Sequence, residues 1–323
     1  MNRRPAIRVL SHRAAAGPRF ALCVGLLAVL MLNGVSRSLA DNLQGASVDQ
    51  EVVVLLHGLG RSAGSMAMLE QRLAAAGFVI YNIDYPSRKS SPQALVTLLA
   101  ETLDDCCSKA SKIHFVTHSL GGIMVRAYLA AYSPANAGRL VMLAPPNQGS
   151  ELSDALRDNW LFKTLMGPTA AELGTDNSSW PNRLPPPSVE TGVIAGTGSI
   201  NPLGTLVIPG EDDGMVSVCS TWIDGLSDFL VVSATHAFIM RSTQVSREVI
   251  YFLQNGRFDH QGDEVSAEYL ALCSAEDATM GAEADSSEIG HPDSHTDNDS
   301  GDQERADAAD APAAANAASG DKP

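Results

Sequence analysis

The chain has 323 residues, 45% of them hydrophobic, and a formal net charge of −15. That length and apolar content suffice for one sizeable core, and the acidic balance gives no footprint for a nucleic-acid partner. The charge is unevenly spread: residues 1–40 hold six arginines and no carboxylate, whereas 259–323 hold seventeen carboxylates against Arg305 and Lys322.

The first segment has the pattern of an export signal. Arg3, Arg4, Arg8, Arg13 and Arg19 precede a largely apolar run at 20–32, and Ser38-Leu39-Ala40 offers small residues for cleavage. The run is shorter than the roughly 20 residues of a full membrane span, and Cys23 inside it is a poor fit to a lipoprotein signal. Residues 1–40 are expected to be a signal peptide or, uncleaved, a membrane anchor. The protein is then extracytoplasmic, either secreted or periplasmic.

Residues 41–258 alternate strand and helix patterns. Apolar runs predict strands at 52–56, 78–83, 113–117, 140–144, 191–195 and 229–233. Between them, Met66, Leu69 and Leu73 share a helical face closed by Gly77. Ser91-Pro92 opens a second helix, Ser133-Pro134 ends a third, and 242–254 makes a last one stopped by Asn255-Gly256. This rhythm predicts an α/β fold with a doubly wound, mostly parallel sheet.

Two strands run into chemistry. The first ends in His57-Gly58-Leu59-Gly60, where glycines let backbone amides turn toward a ligand. The third leads into Thr117-His118-Ser119-Leu120-Gly121-Gly122. Strand, tight turn with a central serine, then helix is a nucleophile elbow. The turn exposes the hydroxyl, and the helix aims its free N–H groups and dipole at a developing anion. At these two motifs the chain resembles the α/β-hydrolase superfamily, and within it the bacterial lipase and esterase group. Thr117 stands where the first glycine of G-x-S-x-G is usual. The resemblance implies the α/β-hydrolase fold, Ser119 as nucleophile, an oxyanion hole made by the N–H groups of Leu59 and Leu120, and a structural role for His57.

A serine hydrolase of this kind needs an acid and then a histidine after the serine in chain order. Of eight histidines, His236 remains after the others are set aside. It follows the strand at 229–233 and so lies at the carboxyl edge of the sheet. The segment Glu211-Asp212-Asp213-Gly214-Met215-Val216 resembles the acid loop of the lipase group, and the match falls on Asp213. Asp212 is the alternative, one residue away. Asp84, before the serine, is expected to fix loops by hydrogen bonds.

An insertion at 147–190 interrupts the rhythm with Leu152, Leu156, Trp160, Leu161, Phe162, Leu165 and Met166, then Pro185-Pro186-Pro187. Its length and apolar content read as a cap or lid over the serine, or equally as a cap that completes the core. As a lid, it brings Trp160, Phe162, Leu165 and Met166 to the substrate. Among Cys106, Cys107, Cys219 and Cys273, topology appoints Cys273 as the partner of Cys106 or Cys107, the alternative being four free thiols. The segment 259–323 is too acidic and too poor in aromatic residues to order itself, apart from a short helix at 264–272.

The expectation is a secreted serine carboxylic-ester hydrolase, lipase-like, acting on acyl esters through Ser119, Asp213 and His236. An acyltransferase with the same triad and a non-catalytic binding protein are the alternatives. No cofactor or metal is expected. The partners are an acyl-ester or lipid substrate and a lipid interface.

Overall fold

The computed structural model describes residues 9–12, 50–260, 269 and 271–273. These belong to the first of two compact units, Met1–Thr279, and the second, Met280–Pro323, lies outside the described residues. Strands β1 (Val9–His12), β2 (Glu51–Leu56), β3 (Val79–Ile83), β4 (Lys112–His118), β5 (Ala137–Leu143), β6 (Thr191–Gly196) and β7 (Asp228–Val232) form one sheet in the order β1-β3-β2-β4-β5-β6-β7. The six strands β2 to β7 are parallel, and β1 joins the β3 edge antiparallel. Strand β1 falls within the segment read as an export signal; the rest of that segment, including the apolar run, lies outside the described residues.

Each β2 residue after Glu51 is buried, and alternate residues serve opposite faces. Val52, Val54 and Leu56 join one apolar cluster with Leu95, Leu99 and Leu103 of α2 (Pro92–Cys107) and Ile123 of α3 (Leu120–Tyr132). Val53 and Leu55 join the other, with Leu69 and Leu73 of α1 (Ala67–Ala75) and Val245, Val249 and Phe252 of α7 (Thr243–Asn255). Burial on both faces is why these strands read as continuous apolar runs. The end signals hold as well: Ser91 caps α2 by accepting from the Ala94 N–H, Ser242 caps α7 through the Val245 N–H, and Gly256 ends α7 at φ 75°.

The chain goes from β2 outward to β3, then returns past β2 to lay down β4. The carboxyl ends of β2 and β4 therefore flank the topological switch point, where open α/β sheets bind ligands. The 147–190 insertion follows β5 and contains α4 (Glu151–Leu156), α5 (Trp160–Met166) and two short 3-10 turns. A further short helix, α6 (Pro202–Val207), precedes the acidic loop at 211–216.

The cysteine expectation is corrected. Cys106 bonds Cys107, and Cys219 bonds Cys273 across a Cα–Cα distance of 4.9 Å. The expectation took the chain beyond α7 to remain at the lower end of the sheet. The eighteen-residue step from Asn255 to Cys273 can span about 60 Å at ~3.3 Å per residue, enough to return to the acid-loop side. Residues 269 and 271–273 are helical, and Cys273 is buried in the α2–α3 cluster, so the ordered fold reaches past 258.

Candidate active site

Ser119 sits between β4 and α3 with φ 52° and ψ −123°. A non-glycine residue held there stores about 1–3 kcal/mol of strain. The fold imposes it by bonding on both sides: the Ser119 N–H donates to Leu143 O at 2.9 Å, and the Gly122 N–H donates to Ser119 O at 2.9 Å. The glycines around it answer to close packing. A Cβ on Gly121 would stand 2.8 Å from Leu56 O, and one on Gly58 would stand 2.8 Å from His118 Nδ1 and 3.1 Å from Ser119 Cβ. Elbow and glycine loop are thus pressed together at the switch point.

The glycine loop is held by a buried histidine. His57 Nδ1 donates to Gly58 O at 2.8 Å, and its Nε2 accepts from the Tyr85 N–H at 3.3 Å. The Tyr85 hydroxyl donates to His57 O, and the two rings stack 4.1 Å apart. Burial lowers the His57 pKa, against the opposing pull of Gly58 O and Asp84. A neutral ring with both nitrogens engaged suits the structural role expected of it. Asp84 accepts from the Ala63 N–H at 2.9 Å and lies 3.4 Å from His57 Nε2, fixing the loop as expected. Leu120 opens α3, so its N–H has no carbonyl one turn earlier to bond.

His236 Nδ1 donates to Asp213 Oδ2 at 2.7 Å. The other carboxylate oxygen, Oδ1, accepts from the N–H groups of Met215 at 3.0 Å and Val216 at 2.9 Å. The backbone joins in, because the His236 N–H donates to Asp213 O at 2.9 Å. Asp212 turns away and accepts from the Gly214 N–H at 2.6 Å. Of the two neighbouring carboxylates, Asp213 is the one brought to the histidine.

A cavity of about 340 Å³ opens over these groups. Ser119, His236, His118 and Leu59 line it, with Phe162 and Met166 of α5 and Leu173, Met215 and Val216 making the apolar wall. Two of the four expected cap residues stand outside it. Trp160 is 74% exposed and Leu165 is 53% exposed, and neither lines the cavity. Phe162 and Met166 are four apart and share one helical face, while Leu161 and Leu165 share another.

A family model described as the alpha/beta hydrolase family matches residues 53–279. The chain belongs to the alpha/beta hydrolase family. No curated protein matches its sequence. Among solved structures it is similar to the Bacillus licheniformis lipase BlEst2 in mature form, at 20% identity and a TM-score of 0.50, over 59% of this chain and 86% of that one. It is also similar to the phospholipase PlaB from Legionella pneumophila, at 16% identity and a TM-score of 0.55, over 70% of this chain and 64% of that one. Likeness at these identities is likeness of fold.

Within this hydrolase fold, three arginines and one histidine go beyond the sequence reading. His118, one of the histidines set aside, donates from Nε2 to His236 O at 2.9 Å. Burial first, and then the His236 charge, lower its pKa well below the usual histidine value. Arg126 is buried in α3 and donates to Asn147 O and Oδ1, both at 3.1 Å, and to Pro181 O at 3.2 Å and Leu184 O at 3.0 Å. One side chain thereby pins both feet of the insertion, and burial lowers its pKa to about 10. A lone arginine in the otherwise apolar helix after Ser119 was the available signal. Arg61 and Arg88 line the cavity that holds Ser119 and His236; Arg61 directly follows the glycine loop.

Proposed function

We propose that this alpha/beta hydrolase is an exported serine ester hydrolase that cleaves acyl esters through Ser119, His236 and Asp213. The observation that carries the reading is the 2.7 Å Asp213–His236 hydrogen bond, with His236 and the strained Ser119 facing one apolar cavity. Asp213 holds Nδ1 protonated, which leaves Nε2 as the base. His236 takes the Ser119 proton as the hydroxyl attacks the ester carbonyl. The N–H groups of Leu59 and Leu120 receive the oxyanion, His236 protonates the leaving alcohol, and water then releases the acyl group by the same route.

The apolar wall suits a hydrophobic acyl chain. Residues 147–190 act in this reading as a lid, with Phe162 and Met166 toward the chain and the exposed Trp160, Leu161 and Leu165 toward a lipid surface. Export is supported by the N-terminal pattern at 1–40 and by two disulfides, which persist in oxidising compartments.

The test is a fluorophosphonate probe with peptide mapping, run beside a panel of esters of graded acyl length. Label on Ser119, none on Ser119→Ala, and ester turnover lost in that variant are the expected outcomes. Undiminished turnover by Ser119→Ala would end the assignment.

A further inference from the structure

The geometry points to a phosphoryl-bearing acyl ester as the substrate of this site, bound through Arg61 and Arg88. The inference rests on the ester-hydrolase reading above and adds the charge of the molecule cleaved. Both arginines line the cavity that holds Ser119 and His236, and among its described lining residues there is no Asp or Glu. Among the described residues, no ion pair involves either guanidinium. Asp84, close by in sequence, is engaged with the Ala63 N–H at 2.9 Å and with His57 Nε2 at 3.4 Å.

Both residues are exposed, and what sets them apart is their place on the lining of this cavity. The Arg61 N–H donates to Gly58 O at 3.2 Å, so its side chain starts from the glycine loop itself. Its charge is felt at the His118 ring, behind the larger effects of burial and His236. Arg88 borders both the loop and the cap. Its Cδ stands 3.6 Å from where a Gly60 Cβ would be, its backbone lies against Gly167, and its Nη1 reaches only Leu165 O, at 3.4 Å. The remaining donors of both forks are available to a ligand.

An apolar cavity with cationic groups and no counter-charge focuses its field on an anion. Guanidinium forks match the paired oxygens of phosphate in geometry and charge. A neutral ester would bury its acyl chain against Phe162, Met166 and Leu173 and leave both forks unused. An ester whose alcohol carries a phosphoryl group would use the apolar wall for the chain and the arginines for the anion. The alcohol side is the end that departs, so the charge would hold the leaving group near the base.

The test compares a short-chain diacylglycerol phosphate with the diacylglycerol of the same chains, below and above their micelle concentrations, at low and high salt. The expected result is a kcat/KM about tenfold or more higher for the phosphate ester at low salt, mainly through KM, and falling with salt. Arg61→Gln and Arg88→Gln should each shrink that ratio about threefold or more, and the lysine variants should keep most of it. Equal efficiency for the two esters, or a ratio unmoved in the double glutamine variant, overturns the inference and leaves the hydrolase reading standing. A preference seen only above the micelle concentration overturns it in favour of a surface-charge effect. Turnover of neither ester overturns the hydrolase reading, and this inference with it.

Discussion

His118 Nε2 donates to the backbone carbonyl of His236 at 2.9 Å, joining the residue before the elbow serine to the backbone of the residue proposed as the base. Asp213 orients the His236 ring from Nδ1, and His118 fixes the same residue from its carbonyl. Misplacement by a fraction of an ångström is costly when a base must meet a hydroxyl. His118→Phe is expected to lower kcat about 10- to 100-fold on a soluble ester, with the smaller change in KM. His118→Gln, which keeps a donor, should recover most of that loss. Equal kcat in the two variants would reduce His118 to a packing residue.

The elements were legible because both faces of the sheet are buried, which writes strands such as Val52-Val53-Val54-Leu55-Leu56 as unbroken apolar runs. Ser119 directly follows β4 and His236 lies just beyond β7, which made their place at the sheet edge readable, while Asp213 sits in a loop after α6 and was reached by motif resemblance. What escaped depends on contacts between segments distant in the chain. His118 has a neighbour 118 residues away, and Arg126 reaches 58 residues to Leu184. No local pattern encodes such partners. The Cys219–Cys273 bond was missed because it depends on the path of a segment with no periodicity, and the outward turn of Trp160 because a seven-residue helix has apolar residues on both faces.

Strain at Ser119 has a measurable sign. Glycine adopts the 52°, −123° conformation without the Cβ penalty, whereas alanine keeps it. Relief of about 1–3 kcal/mol should exceed the entropic cost of glycine, about 0.5–1 kcal/mol. Ser119→Gly is therefore expected to be about 1 kcal/mol more stable than Ser119→Ala in urea unfolding, with ester turnover lost in both. A glycine variant less stable than the alanine variant would mean that the backbone there is unstrained.

Acid should destabilise this fold early. His57, His114 and His118 all have lowered pKa values, with burial the first cause in each. Unfolded, they take up protons as pH falls through about 6.5; folded, they resist. Their contribution is whole above that pH and declines below it, by at most about 1.4 kcal/mol per pH unit for each ring. Glu151, raised by burial, acts in the opposite sense nearer the carboxylate range. Urea midpoints measured from neutral to mildly acid pH should fall steadily, and His118→Gln should flatten that fall by up to one proton's worth. A midpoint constant over this window would contradict the burial of all three rings.

The two disulfides should differ sharply in what they contribute. Cys219 and Cys273 are separated by 54 positions, so their bond closes a large loop of the unfolded chain, worth about 4 kcal/mol in the chain-entropy picture. It also anchors the turn at Cys219–Thr221, where Ser220 O accepts from the Gln148 N–H at 2.9 Å and Thr221 O accepts from Asn147 Nδ2 at 2.8 Å. Cys106 and Cys107 are adjacent, and their bond closes no such loop. Cys273→Ser should therefore cost about 2–4 kcal/mol in unfolding measurements under oxidising conditions. A double Cys106→Ser, Cys107→Ser variant should cost far less, and reductant should bring the native chain down to the Cys273→Ser value. Equal losses in the two variants would show that the stabilisation comes from packing of the sulfurs in the α2–α3 cluster, which all four cysteines share, and not from closing the loop.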